Sequence, residues 1–519
     1  MTFPQLLQQR VTTALAALGH TLPEGFTAAV DQAADARFGD YQTNAAMVLA
    51  KALKTNPRAL ATELAAAIDV TGLSTPPTVA GPGFINFAIT PEALATRLEA
   101  LLADEKLGIV PTTRPRTIVI DFSAPNVAKQ MHVGHIRSTI IGDCLARIAR
   151  FVGHTVITDN HIGDWGTQFG MVLYGWKRDL NEAALLSDPI RELLRLYKAV
   201  NAGSKAQEEE MKAGDRPDTP VRDACRAELV KLQAGDNENL ALWHKIIALS
   251  AGAFTEIYRL LDIRFDHQLG ESFYNDKLPQ VYTELSACGL AEESQGALVV
   301  FHPEHPRFKT QPFIIRKSDG AANYASTDLA TMLYRTEHFR ADAIAILTDA
   351  RQSDHFEQLW LTTQKWFERT HRTAPRFTHV SFGSILGEDG KAIKTRSGDP
   401  IKLKALLAEA VDRAFTLVTE KAPELPETER RNIAAAVGIG AIRYADLAQN
   451  RSSDYVFSWD KILSFEGNTA PYLLYAVSRV RSIFRKAGLD AADVTATAGA
   501  TAPETPAELA LARKLTTFP

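Results

Sequence analysis

The sequence predicts an α/β protein: a Rossmann-like parallel-sheet domain with an inserted subdomain, an α+β domain before it and an α-helical domain after it. The first observation is a β-branched apolar run at 117–120, followed by apolar residues at helical spacing over 136–148 and a second apolar run at 155–158. The second is a charged, helical insertion at 181–236, and the third is a strongly helical pattern from Pro423 onward. Strand, helix and strand make one βαβ unit, the building block of a parallel sheet.

Length and composition are those of an ordinary globular protein. The chain has 519 residues, enough for three or more domains, and its hydrophobic content of 45% and charged content of 23% are unlike those of a disordered chain. The net charge of −4 neither favours nor excludes nucleic acid, since an acidic protein can bind RNA through a local basic face. No apolar run approaches the length that spans a bilayer, so no membrane partner is expected.

The cysteines indicate the redox compartment. Cys144, Cys225 and Cys288 are odd in number and far apart, with no Cys-x-x-Cys pair. This argues for reduced thiols in a cytosolic protein, and against a zinc site or a disulfide framework. The amphipathic first 19 residues lack the basic segment and apolar core of a signal peptide. We therefore expect a cytoplasmic protein in which no side chains form a metal site.

Residues 1–108 read as a separate α+β unit, joined to the next domain by a linker at 112–116. Helical periodicity runs over 3–18, 43–53 and 56–68, and a turn with a strand follows at 81–87. The segment 38–44 is interpreted as a polar loop containing a turn and a helix cap. This unit thus precedes the parallel-sheet domain, which we place at 116–385.

The turn after the first strand contains His132-Val133-Gly134-His135 and enters a helix. A helix N-terminus at the carboxyl end of a parallel strand offers free backbone N–H groups, which suit a phosphate. Gly134 lets a flat ring or a phosphate approach the backbone, and His132 and His135 can point the same way across the first turn. With Lys129 nearby, the pattern predicts a nucleotide site, although histidines at a helix start are commonly caps.

A second glycine-containing turn, at 161–168, follows the second strand and includes Gly163 and Asp164. Turns at the ends of adjacent parallel strands face each other across one crevice, which is where open α/β sheets bind ligands. A purely structural turn is the alternative. Further along, 181–236 reads as a solvated helical insertion, and 271–320 reads as a small β insertion with strands at 297–301 and 313–316.

A candidate cation-binding pocket follows from Asn323-Tyr324-Ala325-Ser326-Thr327-Asp328, which opens a helix. Tyr324 and Asp328 are four residues apart and share one helical face. With Asp121 at the end of the first strand, they would supply two carboxylates and a phenol, a set that suits a guanidinium. A capping aspartate and a packed tyrosine are the alternative. Gln352, after the buried strand 343–347, is available to bind a polar substrate group.

The glycine-bracketed segment 382–398 contains three cations within six residues, Lys391, Lys394 and Arg396. A mobile cationic loop suits charge that develops late in a reaction, as when pyrophosphate leaves a nucleotide. A β-hairpin tip with solvated lysines is the alternative. Helices beyond Pro423 interleave arginine and lysine with tyrosine and tryptophan, a mixture that suits RNA, although a charged helical surface is the simpler interpretation.

Taken together, these motifs resemble the arginyl-tRNA synthetases of bacterial type, which are class I aminoacyl-tRNA synthetases. The resemblance covers nearly the whole chain. The segments that carry it are 123–126 through 135–139, 163–168, 270–274, 317–320 with 324–328, and 465–472. Segments 38–54 and 81–87 resemble the family's N-terminal domain, which contacts the tRNA elbow. The resemblance makes 386–440 the mobile signature loop with connecting helices and 441–519 a helical anticodon-binding domain.

The family's reaction has two steps. The arginine carboxylate attacks the α-phosphorus of ATP in line to give arginyl-adenylate and pyrophosphate, and the 2′-hydroxyl of the terminal adenosine of tRNA(Arg) then takes the arginyl group. The resemblance implies L-arginine, ATP and tRNA(Arg) as partners. We also expect Mg²⁺ to arrive with ATP, with no protein ligand assigned to it, and we expect a monomer. Members of this kind usually need tRNA before they activate the amino acid.

The resemblance also implies roles for individual residues. The residues implied to be catalytic are His132, His135, Lys129, Lys391, Lys394 and Arg396. Those implied to bind ATP are His132, Gly134, His135, Gly163 and Asp164. Those implied to bind arginine are Asp121, Ala124, Asn126, His135, Tyr324, Asp328 and Gln352, with Asn126 and Gln352 at the α-amino end.

Two departures from the family pattern leave alternatives open. The mobile loop lacks the class I Lys-Met-Ser-Lys-Ser sequence, so the cation that meets the phosphates is Lys391, Lys394 or Arg396, and Lys129 resembles a residue that substitutes in such enzymes. The helical domain should continue past Pro519, so the chain looks truncated. The rival interpretations are a cysteinyl or glutamyl synthetase, a small nucleotidyltransferase, or a catalytically silent RNA-binding relative.

Overall fold

The computed structural model describes residues 1–20, 22–391, 393, 401–489 and 502–518, and the chain divides into two compact units. One unit comprises Met1–Pro111 with Val480–Pro519, and the other comprises Thr112–Arg479. The sequence placed the first boundary at 108 and a separate helical domain at 441–519. The structure instead divides that C-terminal region between the two units at residue 480.

The first unit begins with an α+β arrangement around a four-stranded antiparallel sheet of order β1-β2-β4-β3. Its strands are β1 (Asp31–Gln32), β2 (Tyr41–Thr43), β3 (Thr78–Ala80) and β4 (Phe84–Phe87). Its helices are α1 (Phe3–Ala17), α2 (Ala45–Leu53), α3 (Pro57–Ala67) and α4 (Pro91–Leu102). The loop interpretation of 38–44 was wrong at β2, because Tyr41 and Thr43 alternate inward and are buried.

The second unit is built on a parallel sheet of order β11-β10-β5-β6, as the Rossmann-like prediction required. Its strands are β5 (Thr117–Asp121), β6 (Thr155–Asp159), β10 (Ala343–Ile346) and β11 (Arg376–His379). Helix α5 (Ile136–Phe151) joins β5 to β6, and α13 (Ser353–Arg369) joins β10 to β11. The strand order reverses between β5 and β10, so the crevice at their carboxyl ends is the place for a ligand.

The predicted helical insertion is present after β6. It consists of α6 (Gln168–Asp179), α7 (Glu182–Ser187), α8 (Pro189–Ala213), α9 (Pro220–Gln233) and α10 (Asn237–Leu260). A Cβ on Gly170 of α6 would stand 2.2 Å from the carbonyl oxygen of Cys225 in α9. Glycine at this position therefore lets the two helices approach closely.

The β insertion is also present, with one strand more than the sequence predicted. Helix α11 (Leu278–Ala287) leads into an antiparallel sheet of β7 (Ala291–Ser294), β8 (Ala297–Val300) and β9 (Phe313–Arg316), followed by α12 (Tyr324–Glu337). Strand β7 has the sequence Ala-Glu-Glu-Ser and no buried residue, so it lacks the apolar alternation that marks a strand. Asn323 caps α12, as its side chain accepts from Ser326 N–H.

The remaining elements of the second unit are mostly helical. Strand β12 (Ile385–Leu386) pairs in parallel with β13 (Tyr455–Val456). The helices are α14 (Leu403–Lys421), α15 (Glu427–Leu447), α16 (Trp459–Ile462) and α17 (Ala470–Lys486), the last of which extends into the first unit. The first unit is completed by α18 (Pro506–Thr516), which packs against α4. Within the described ranges, no helix has the length and apolarity needed to cross a membrane.

Candidate active site

A cavity of about 200 Å³ lies at the carboxyl ends of β5, β10 and β11. Residues of the His-x-Gly-His turn line one side, and residues that follow β10 and β11 line the other. They are His132, Val133, Gly134, Arg137, Asp349, Arg351, Phe382, Gly383, Ser384, Ile385 and Ile393. The predicted meeting of the histidine turn with the start of the cationic loop is therefore observed at the point where the strand order reverses.

The loop between β5 and the histidine turn has an unusual backbone. Ser123, Ala124 and Ala128 have φ angles of 76°, 46° and 60°, a left-handed conformation that is uncommon for residues other than glycine. Buried polar contacts hold it: Ser123 Oγ lies 2.8 Å from Tyr258 Oη, and Ala124 N–H donates to Asn160 Oδ1. Such conformations are concentrated at functional sites. Neither Tyr258 nor Asn160 stood out in the sequence, because both are remote from the motif.

The two histidines of the turn are held in one tautomer by the backbone. The N–H of Gly134 donates to Nδ1 of His132, and the N–H of His132 donates to Nδ1 of His135, both at 3.1 Å. Where Nδ1 accepts in this way, a neutral imidazole carries its proton on Nε2; for His135 this acceptance competes with a longer contact, of 3.3 Å, between Nδ1 and the carbonyl oxygen of His132. Each neutral ring therefore offers an Nε2–H donor, the kind of group that binds a phosphate oxygen.

Burial keeps both rings neutral. It lowers the pKa of His135 to about 4, and His132 contributes to the shift. It also lowers the pKa of His132, with a smaller contribution from the Lys129 ammonium. At neutral pH the turn thus presents uncharged donors.

The backbone of this turn differs from the predicted phosphate cradle. Val133 N–H donates to Ile401 O, and His135 N–H donates to His132 O, both at 2.9 Å. Gly134 N–H is engaged by the His132 ring, and a Cβ on residue 134 would stand 2.8 Å from that ring. The flat group that lies against Gly134 is therefore the His132 ring of the same turn. The donors that this turn offers to an anion are imidazole N–H groups rather than free backbone N–H groups.

Lys129 does not line the cavity that contains His132. Its ammonium lies 5.0 Å from the centre of the Tyr197 ring, and burial lowers its pKa. It lines a different cavity, of about 720 Å³, together with Lys402 and Lys404. Lys129 thus lines another cavity while its ammonium still acts on His132, and its expected role in place of a loop cation stays a prediction.

The second glycine turn supports the first. Val127 N–H donates to Gly163 O, Gly163 N–H donates to Pro125 O, and a Cβ on Gly163 would stand 2.4 Å from Asn126 Oδ1. Gly163 thus gives room to Asn126, whose side chain remains exposed. The contacts of Gly163 in the structure are thus with the loop after β5, and the ATP contact that the resemblance implied stays a prediction.

Asp164 also has a structural partner. Its buried carboxylate accepts from Ser272 N–H at 2.8 Å and from Ser272 Oγ at 2.6 Å, and burial raises its pKa. The side chain therefore fastens the glycine turn to the segment 270–272. It has little surface left for the ATP contact that the resemblance implied.

The candidate arginine-binding residues vary in environment. Tyr324 begins α12 and is 74% exposed, and Asn126 and Gln352 are also exposed. Asp328, one turn further along α12, pairs with His355 at 2.5 Å and is partly buried. The helix cap is Asn323, so the alternative of a capping role for Asp328 does not hold.

Asp121 is already paired with a residue of the chain. Its Oδ2 accepts from Nη2 of Arg335 at 2.7 Å, and the same Nη2 donates to Asp159 Oδ2 at 2.8 Å. The prediction that this carboxylate oxygen is open to a substrate guanidinium needs correction, because an internal guanidinium occupies it. The local pattern gave no sign of this pairing, since Arg335 lies 214 residues after Asp121.

The cationic loop is described up to Lys391, at Ile393 and again from Ile401. Gly387 N–H donates to Lys391 O at 2.7 Å, which closes a turn, and Lys391 is exposed. Leu403 N–H donates to Met131 O at 2.9 Å, which fastens the end of the segment beside the histidine turn. Lys394 and Arg396 lie outside the described residues.

Arg137 is a further residue of the site that pattern reasoning missed. It is buried in the first turn of α5, where Nε donates to Asp446 Oδ1 at 2.9 Å. Its Nη1 donates to Gly383 O at 2.8 Å and to Ser453 O at 3.0 Å. The sequence offered one signal for this residue: Arg137 is a charged side chain among apolar residues at the start of a helix.

Two family models match the chain. The catalytic-domain model of class I tRNA synthetases (R) matches residues 97–459, and the model of the arginyl tRNA synthetase N-terminal domain matches 5–89. An arginine–tRNA ligase of Chromobacterium violaceum is 46% identical over 491 residues, which cover 94% of this chain and 83% of that protein. One of Marinomonas sp. is 42% identical and covers 100% and 87%.

Solved structures agree with these relatives. The arginyl-tRNA synthetase of Plasmodium falciparum has a TM-score of 0.78 and 26% identity, covering 100% of this chain and 86% of that one. The Thermus thermophilus arginyl-tRNA synthetase shares the fold, with a TM-score of 0.75 and 24% identity over 99% and 86% of the two chains. The chain therefore belongs to the class I arginyl-tRNA synthetases, the enzymes that charge tRNA with arginine for translation.

Proposed function

We propose that ATP binds in the crevice between the histidine turn and the segment 382–393, where the arginine carboxylate attacks the α-phosphorus in line. Arginyl-adenylate forms, pyrophosphate leaves, and the terminal 2′-hydroxyl of tRNA(Arg) then takes the arginyl group. The observation that carries this proposal is the cavity that His132 and Gly134 share with Phe382 and Ile393. It lies where the strand order of the parallel sheet reverses.

In this proposal the Nε2–H groups of His132 and His135 donate to phosphate oxygens of ATP, with His135 also near the amino acid. The tautomer supports the assignment, because both Nδ1 atoms accept from backbone N–H groups. Donors already fixed in place stabilise the charge that develops on the phosphates without reorganisation at the moment of reaction. Gly134 contributes by leaving room for the His132 ring.

We assign the stabilisation of the negative charge on the leaving pyrophosphate to the cationic loop. Lys391, Lys394 and Arg396 are the candidate cations, and the segment is held at Ile401, whose carbonyl accepts from Val133 N–H. This anchorage keeps the end of the loop beside the histidine turn. Lys129, whose ammonium lies over the Tyr197 ring and acts on His132, remains the further candidate for this role.

For arginine, the proposed contacts are Tyr324 and Asp328 at the guanidinium and Asn126 and Gln352 at the α-amino end, with Ala124 and His135 beside them. Asn126 lies within the strained loop after β5, and Gln352 ends a 3-10 turn after β10. Both segments thus begin at the strands that flank the crevice. Asp121 lies behind this site, where its carboxylate is held by Arg335.

The remaining partners follow from the reaction. Among the described residues, no group of three or more His, Cys, Asp or Glu side chains could hold a metal ion, so we propose that Mg²⁺ enters with the phosphates of ATP. We further propose that the protein acts as a cytoplasmic monomer. Its role in translation supports the compartment.

Pyrophosphate exchange in the presence of total tRNA, with each of the twenty amino acids, tests the proposal. Only arginine should support exchange, and Asp328→Asn should raise the KM for arginine far more than the KM for ATP, because a charged hydrogen bond worth roughly 2–5 kcal/mol is lost. Asp354→Asn, which alters an exposed carboxylate of α13 paired with Arg307, is the matched control. A wild-type chain that binds tRNA tightly without any arginine-dependent exchange would support a catalytically silent relative.

A further inference from the structure

The side chain of Arg335 is completely buried at the carboxyl edge of the parallel sheet. Its Nη2 donates to Asp121 Oδ2 at 2.7 Å and to Asp159 Oδ2 at 2.8 Å. These two aspartates end the neighbouring strands β5 and β6 and face each other in register. One guanidinium therefore joins two strands at the edge where the proposed substrate crevice opens.

The same arginine connects that edge to the helix carrying the proposed arginine contacts. Tyr324, Asp328, Thr331 and Arg335 are spaced by four, three and four residues, so they form one stripe along α12. The stripe begins at exposed Tyr324 and ends at buried Arg335. Fixing Arg335 against β5 and β6 therefore fixes the orientation of the helical face that presents Tyr324 and Asp328.

The guanidinium of Arg335 makes both of these hydrogen bonds through one nitrogen, Nη2. Its Nε and Nη1 are buried without a hydrogen-bond partner among the described residues. The hydrogen bonds that hold the Arg335 side chain there are therefore those to Asp121 and Asp159.

We propose that Arg335 is the positioning residue of the arginine subsite. By holding Asp121 and Asp159, it fixes the α12 face that carries Tyr324 and Asp328. This inference rests on the proposed assignment of the arginine contacts. Arg335 itself does not touch the substrate, so its loss should act on arginine binding through the orientation of α12.

The principal test is the double variant Arg335→Met with Asp159→Asn. It removes one guanidinium and one carboxylate together, and with them the link between the sheet and α12. In tRNA-dependent pyrophosphate exchange we expect the KM for arginine to rise about 10- to 100-fold, as for a lost charged hydrogen bond, and the KM for ATP to change less than about twofold. Arg335→Lys keeps a cation with N–H donors but replaces the guanidinium by a compact ammonium, so it should give an intermediate KM for arginine.

The control is Arg372→Met, which removes an arginine paired with Glu284 at 2.6 Å in the same unit. It should lower the midpoint of thermal unfolding and leave both KM values unchanged. If the double variant does not fold, Arg335→Lys gives the same comparison of the two KM values. Equal changes for arginine and ATP, or a change in stability alone, would overturn the inference. An inactive wild-type chain would instead contradict the proposed function itself.

Discussion

Arg137 and Asp446 form a fully buried ion pair, with Arg137 Nε 2.9 Å from Asp446 Oδ1 and both side chains 1% exposed. It joins the first turn of α5, which carries the histidine turn, to α15. Because Arg137 also donates to the carbonyls of Gly383 and Ser453, a single side chain holds three segments around the cavity together.

Removing one member of this pair should be costly. Asp446→Ala leaves the Arg137 charge buried without its partner, so we expect the free energy of unfolding of the catalytic unit to fall by about 3–5 kcal/mol. Urea unfolding followed by tryptophan fluorescence measures it. Glu427→Ala, at an exposed pair with Arg431 on the same helix, is the control and should change stability by less than about 1 kcal/mol. Similar values for both variants would mean that burial adds nothing to the pair.

Gly134→Ala should impair catalysis more than folding. The added Cβ would stand 2.8–2.9 Å from the His132 ring, so the ring must move and its Nε2–H loses the proposed alignment with phosphate. We expect arginine-dependent exchange to fall at least about tenfold, as for other misplaced catalytic donors, with nearly unchanged thermal stability. In Gly203→Ala, where nothing lies within 4 Å of the new Cβ, exchange should be normal. Normal exchange in Gly134→Ala would show that the glycine is not needed to position the His132 ring.

Gly163→Ala tests the second turn. A Cβ there would stand 2.4 Å from Asn126 Oδ1, which must shift, so the KM for arginine should rise more than the KM for ATP. Steady-state exchange at varied arginine and varied ATP separates the two. Gly166→Ala, in the same turn with open space around it, should change neither. A larger rise in the KM for ATP would instead assign Gly163 to the nucleotide site.

His135 should make stability depend on pH in a known direction. Its pKa is lowered from 6.5 to about 4, so the folded protein binds fewer protons than the unfolded chain. This contribution is complete above pH 6.5 and is lost as the pH falls towards 4. Urea midpoints measured across that range should decline less steeply in His135→Asn than in the wild type. Parallel curves would show that the ring titrates normally in the folded state.

The sequence predicted the parts of the fold that depend on local pattern. Strands β5 and β6 are continuous apolar runs, and the histidine turn lies directly between the first run and a helix of regular spacing, so both were recognisable. The same reasoning missed β2 and β7, which have only a few residues and little apolar alternation. An alternating pattern is recognisable only over several residues, and these strands are too short to show one.

Pairings between distant segments could not be predicted in this way. Asp121 was a reasonable guanidinium ligand by charge, and it does bind a guanidinium, but that of Arg335 in the chain itself. Similarly, Asp164 was assigned to ATP, whereas its carboxylate fastens Ser272. A carboxylate at a strand end indicates that a cation or donor is near, but not whether that partner belongs to the substrate or to the protein.

The cationic segment is fastened to the catalytic unit at both ends. Leu386 pairs with Val456 before it, and the Ile401 carbonyl accepts from Val133 N–H after it. Lys391, Lys394 and Arg396 fall between these two points of the chain. The chain thus enters and leaves this segment at two fixed points of the same unit, one of them directly beside the histidine turn. Whichever of the three cations meets the phosphates in the proposed reaction, its distance from that turn is limited by a short length of chain.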